Sequence, residues 1–140
     1  MGPKDILRML MQQNDAVLSA YLNDLSDADL MRRPAPGCNH INWQLGHLIV
    51  SDHEMLNDIF PGRLPPLPSG FAARYERDRV GSDDPGQFAG KDELLNACRA
   101  QRAAALAILE GLSAGELAKP APEKLQSYAP TVGCAFALLG

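Results

Sequence analysis

The sequence predicts an all-α protein, and three observations carry that expectation. Leu and Ala supply 39 of the 140 residues, while Val, Ile and Thr supply ten. Small and unbranched side chains keep rotamer freedom in a helix that β-branched ones lose. The 11 prolines leave proline-free windows at residues 4–33, 37–60, 86–119 and 131–140. Within those windows apolar residues recur at three- and four-residue steps, the period of an α-helix.

In the first window Leu7, Leu10, Met11, Val17, Leu18, Tyr21, Leu22 and Leu25 fall on one stripe. They predict an amphipathic helix over about residues 4–25, with Pro3 suited to its first turn. Asn14 interrupts the stripe. Such an Asn either fixes register or bonds a neighbour, or else points into a site. Ser26-Asp27-Ala28-Asp29 reads as an N-cap and an acidic first turn, so one short helical turn should follow and stop before Pro34.

The second helix is expected from a cap near Asn39 to about Ile59, with Ile41, Leu45, Leu48, Met55, Leu56 and Ile59 as its core stripe. Pro61-Gly62 ends it. Residues 61–90 hold five glycines and show no helical period. Phe71, Tyr75 and Phe88 argue against free disorder there, so the segment should lie across the helices. A long crossover of this kind lets successive helices run parallel. The third helix is expected over about residues 91–112, on Leu94, Leu95, Cys98, Ala105, Ile108, Leu109 and Leu112. Arg102 falls within that stripe. Its head either snorkels to water or faces the interior as an anion-binding group.

A repeat then appears. Leu25-Ser26-Asp27-Ala28-Asp29-Leu30 leads through Arg-Pro-Ala-Pro into the second helix. Leu112-Ser113-Ala114-Gly115-Glu116-Leu117 leads through Lys-Pro-Ala-Pro toward a further apolar stretch, and Ser113 and Glu116 have capping-box spacing. Two similar helix pairs follow from this, so a fourth helix should start near Thr131.

Length is that of a single domain, residues 1–140. The net charge of −4 lacks the basic footprint of a nucleic-acid binder, and no apolar run approaches the ~20 residues of a membrane span. Cys38, Cys98 and Cys134 are widely spaced with no CxxC, which suggests reduced thiols and a cytoplasmic location.

The three histidines, His40, His47 and His53, include no i,i+4 pair. His47 shares a helix face with Trp43, Val50, Ser51 and Glu54, all within about 60° of it. That mixture of aromatic and polar groups suits a pocket wall, with packing at a helix interface as the plainer alternative. His40 is expected at the surface of the helix start and His53 in solvent.

The run Asn39-His40-Ile41-Asn42-Trp43-Gln44-Leu45-Gly46-His47-Leu48 resembles the second-helix motif of the DinB/YfiT-like superfamily, and Ala129-Pro130-Thr131-Val132-Gly133 resembles the start of that family's last helix. The order of elements is similar over the whole chain. The resemblance implies a four-helix bundle with a long crossover between helices 2 and 3. It also implies a divalent-metal site, holding nickel, zinc or iron, with three histidines. One of these corresponds to His47, and the other two form His-x-x-x-His on the last helix. The implied activity is a metal-dependent transferase or hydrolase, in some relatives one using a low-molecular-weight thiol. Asp52 stands where the family often has Glu.

The paired histidines would fall beyond Gly140, so the last helix is expected to be cut short there and the sequence to be part of a longer protein. His47 is then the metal ligand, and Trp43, Ser51, Glu54, Asn14 and Arg102 are the candidates for lining the pocket around a small-molecule substrate. The alternative is a metal-free helical module that binds a small molecule or dimerises, and a homodimer is expected on either reading.

Overall fold

A computed structural model describes residues 1–139; Gly140, where the last helix was expected to be cut short, lies outside the described residues. Among the described residues every regular element is helical, and the one extended pairing is an isolated bridge between Pro120 and Thr131. Three helices are long: α1 (Pro3–Leu22), α3 (Ile41–Ile59) and α5 (Lys91–Glu110). Three are single turns: α2 (Asp27–Leu30), α4 (Phe71–Arg74) and α6 (Ala114–Leu117). The last, α7 (Val132–Ala137), starts as expected from Thr131, whose hydroxyl accepts from the Cys134 N–H.

The repeated motif forms the same structure twice. Ser26 with Asp29, and Ser113 with Glu116, each make a reciprocal capping box. The backbone N–H of each serine holds the paired carboxyl below its usual range. Leu30 and Leu117, at the end of each copy, plug into the core.

Side-chain contacts fix the helix directions. Asn42 near the start of α3 reaches Ala89 just before α5, and His53 further along reaches Gln101, so α3 and α5 run parallel. α1 runs against α5: Lys91 lies by Leu22, Arg102 by Asp15, and Glu110 by Arg8. The ammonium of Lys91 donates to the Leu22 and Leu25 carbonyls and so closes the C-terminal end of α1. A cation there also meets the negative end of the helix dipole. That end comes at Leu22, three residues before the expected Leu25, because residues 23–25 already turn toward the Ser26 cap.

The core has two parts. One gathers Leu7 and Met11 of α1, Leu109 of α5 and Phe136 of α7. The other gathers Trp43 and Ile49 of α3, Leu94 of α5, and Phe71, Tyr75 and Phe88 from the 61–90 segment. That segment therefore packs as expected. It also carries α4 and two 3₁₀ turns, at Arg77–Arg79 and Pro85–Gln87, too short to show a helical period in sequence. Because this segment covers a second face of α3, Trp43 and Val50 are buried outside the stripe assigned to the core, whereas Leu48 within it is exposed. The α1 stripe is also only half buried. Leu7, Met11 and Leu22 are core, whereas Leu10, Val17 and Tyr21 face outward.

Candidate functional site

The start of α3 holds the motif on which the family resemblance rests, and its His40, Asn42, Trp43 and His47 side chains each reach the 71–90 segment. His40 is the N-cap, in place of the expected Asn39. Its Nδ1 accepts from the Trp43 N–H at 3.0 Å, and its Nε2 therefore carries the proton it donates to the Ser82 carbonyl at 3.0 Å. The ring is fully buried, edge-on to Phe88, and not at the surface as expected. Asn42 donates to the Ala89 carbonyl and accepts from the Tyr75 hydroxyl, while Trp43 Nε1 donates to the Glu76 carbonyl.

Gly46 makes this contact possible. A Cβ there would sit 2.1 Å from the Tyr75 ring, so only glycine lets the ring lie against the helix backbone. Burial pushes the Tyr75 phenol up from 10.0 to about 12. Folding thus favours its neutral form. That stability is fully present below pH 10 and is lost as pH rises from 10 through 12, up to about 2–3 kcal/mol. Denaturant midpoints across this range should fall, and Tyr75→Phe should remove that part of the slope; an unchanged slope would refute the assignment.

His47 is half-buried. Its ring stacks on Trp43 with centroids 4.6 Å apart and planes 9° from parallel. Nδ1 lies 3.4 Å from the Tyr75 carbonyl, an acceptor, which places the proton on Nδ1 and leaves the lone pair on Nε2. Ser51 and Glu54 share this face of α3, half-buried and exposed respectively.

The opposite face of α3 meets α5 around a cavity of about 30 Å³, room for about two waters. Its polar lining is Asp52, His53, Cys98, Gln101 and Arg102, and Leu139 closes it. His53 is not solvated as expected. Its Nδ1 lies 2.8 Å from Gln101 Oε1, and Gln101 Nε2 donates to the Pro65 carbonyl. The position carried a signal, four residues after Ile49 and three before Leu56, which is the buried stripe. Gln101 carried no such signal, being polar in a stripe read by its apolar members.

Arg102 is 8% exposed and does not snorkel to water. Its Nε donates to Asp15 of α1 at 2.8 Å. It lines the α3–α5 cavity and also a cleft of about 290 Å³ between α1 and α5, together with Asp15, Ser19, Arg99 and Cys98 and the apolar Leu18, Leu95 and Leu106. Burial pushes the Cys98 thiol up, so it stays protonated. Asn14 points to neither space. It bonds a neighbour, its Nδ2 donating to the Leu139 carbonyl at 3.1 Å.

The expected site residues thus divide in two. Trp43, His47, Ser51 and Glu54 share one face of α3, while Arg102 lies behind the other, between α1 and α5. Among the described residues no three His, Cys, Asp or Glu side chains come together to hold a metal ion. His40 has both ring nitrogens committed, while His53 and His47 have one each, on opposite faces of α3. These residues by themselves do not fit a three-ligand metal centre.

The family model described as DinB superfamily matches residues 10–139. No curated protein and no solved structure matches the chain. Among the described residues no helix is long and apolar enough to cross a membrane.

Proposed function

The chain belongs to the DinB superfamily, and we propose that it is a four-helix bundle of α1, α3, α5 and α7, crossed over by residues 60–90, that binds a small molecule at Arg102 without needing a metal. The observation that carries this reading is the placement of Arg102. A buried guanidinium, held by Asp15, borders a cleft near the size of a small ligand pocket. Its walls combine apolar contact from Leu18, Leu95 and Leu106 with two guanidiniums, Arg99 and Arg102, against the one carboxylate of Asp15, which leaves the lining net positive. That chemistry suits a small carboxylate-bearing compound, a class that includes low-molecular-weight thiols. Cys98, being protonated, serves as a wall and not as a nucleophile.

Thermal-shift titration of metal-free protein with a carboxylate-bearing thiol tests this reading. A stabilising shift is expected that Arg102→Met abolishes, because Met keeps the packed stem and removes the charge. Equal shifts in both proteins would sink the proposal.

One observation favours the metal-dependent reading. His47 is oriented through Nδ1 by a backbone carbonyl, as metal-ligating histidines are, with Nε2 left as the donor atom. Elemental analysis of protein loaded with nickel, zinc or iron should then show less metal in His47→Ala. Equal content would remove His47 as a ligand.

A further inference from the structure

The polar groups that line the α1–α5 cleft hold hydrogen-bonding capacity that the fold leaves unused. Arg102 donates through Nε, and the atom that accepts is Asp15 Oδ1. Asp15 Oδ2 accepts no hydrogen bond among the described residues, and the Asp15 side chain is 35% exposed. Among the described residues no buried side-chain nitrogen or oxygen lacks a partner. The Nη groups of Arg102 make no such bond, so they must reach the open space that this side chain lines. Arg99 and Ser19 are exposed and make no hydrogen bond or ion pair among the described residues. Because α1 and α5 run antiparallel, Ser19, one turn beyond Asp15, comes level with Arg99, just under one turn before Arg102. The cleft thus has two poles about 5–6 Å apart along the helices: Arg99 with Ser19, and Asp15 braced by Arg102. Its mouth faces away from α7, since Ser19 lies about 140° around α1 from Asn14, which meets Leu139.

We propose that the cleft takes a free α-amino acid as its zwitterion, with the carboxylate on Arg99 and Ser19, the ammonium on Asp15 Oδ2, and an aliphatic side chain against the leucines. The assignment rests on the reading of this cleft as a carboxylate site and adds an ammonium subsite to it. Charge order is the first argument. A carboxylate seated on these guanidiniums lies close to Asp15, and like charges repel strongly where water is partly excluded. An α-ammonium fits between the two carboxylates, so that Arg102, Asp15, ammonium, ligand carboxylate and Arg99 alternate in sign. Spacing is the second. The two poles are one helical turn apart, and an α-amino acid carries both charges on a single carbon, within reach of both through hydrogen bonds of about 2.8 Å. Preorganisation is the third. Arg102 is 8% exposed and holds Asp15 through one oxygen, so the other is fixed in place before a ligand arrives and little ordering is left to bind it. The remaining wall, Leu18, Leu95 and Leu106, is aliphatic, which suits a side chain of the same kind.

Isothermal titration calorimetry of the metal-free protein tests the assignment with three probes: L-leucine, 4-methylpentanoate, which lacks the ammonium, and L-leucinamide, which lacks the carboxylate. Leucine should bind at least about tenfold more tightly than either of the others, since one charge-assisted hydrogen bond is worth that factor or more. Asp15→Asn keeps an oxygen for Arg102 Nε and removes the charge. It should bring leucine down to the level of 4-methylpentanoate without weakening 4-methylpentanoate itself, whereas a merely structural Asp15 would weaken both ligands alike. Arg99→Met keeps the test decisive if Asp15→Asn fails to fold, because Arg99 is exposed and unpaired. That variant should melt at the wild-type temperature and bind both carboxylates at least about tenfold more weakly. Wild-type protein that binds 4-methylpentanoate as tightly as leucine would overturn the ammonium subsite and leave the carboxylate site standing. Binding of neither carboxylate would overturn both, and an Arg99→Met protein with wild-type affinities would overturn the placement of the ligand.

Discussion

Gly46→Ala is expected to destabilise the protein by about 3 kcal/mol or more, measured as the urea midpoint followed by the fluorescence of Trp43, the single tryptophan. The added methyl would meet three atoms of the Tyr75 ring at 2.1–2.4 Å. The ring cannot retreat cheaply. Its hydroxyl is held at 2.9 Å by Asn42 and at 3.0 Å by the Ala89 N–H, both buried, and its face is packed by Phe71 and Phe88. A double-mutant comparison isolates the cause. In a Tyr75→Ala background the same substitution should become mildly stabilising, by about 0.5–1 kcal/mol, because Ala is the better helix former once the obstacle is gone. A Gly46→Ala protein as stable as wild type would mean that Tyr75 does not sit against α3.

His40→Ala should cost about 3 kcal/mol. Three losses combine: the cap on the Trp43 N–H, worth about 1 kcal/mol; the bond to the half-buried Ser82 carbonyl, about 0.5–1.5 kcal/mol because Arg33 still donates to that oxygen; and the volume of a fully buried ring beside Phe88. His40→Asn should recover part of the loss, since Asn caps well but does not reach Ser82. Amide exchange at Trp43 should accelerate in the alanine variant and less so in the asparagine one. A His40→Ala protein with wild-type stability would contradict the burial and both hydrogen bonds.

The helices were legible because their signal is local. Period, caps and proline punctuation lie within a few residues of one another, and the duplicated Leu-Ser motif marked both short turns, with the capping box legible at Ser113 and the N-cap at Ser26. What escaped depends on contacts between distant segments. Leu10, Val17 and Tyr21 share the period of Leu7 and Met11, and periodicity reports which residues are apolar, not how wide a face finds a partner. Val50 was assigned to a pocket wall and is buried, because the 71–90 segment covers that side of α3. His40 and His53 were judged by their place on one helix, yet their surroundings are set by Ser82 and Gln101, more than 40 residues away in sequence. At the candidate site, the sequence left Arg102 open between a head in water and one turned inward, because its partner Asp15 lies on another helix.

The grip of α3 on the 71–90 segment has a consequence for which parts of that segment can change. His40, Trp43 and His47, and Asn42 through its amide nitrogen, address carbonyl oxygens, and so does Arg33, which reaches the Val80 and Ser82 carbonyls. A carbonyl is present whatever the side chain, so these bonds do not read the residue identity at Glu76, Val80 or Ser82. Only Phe71, Tyr75 and Phe88 insert large side chains into the core. The segment is thus fixed in place yet loosely constrained in composition. Asp83 is the exception, its carboxylate accepting from Arg33 Nε at 2.8 Å, but other exposed positions, Ala72, Ala73 and Arg77 among them, are free to drift or to accept grafted sequence while the helices beneath keep their arrangement.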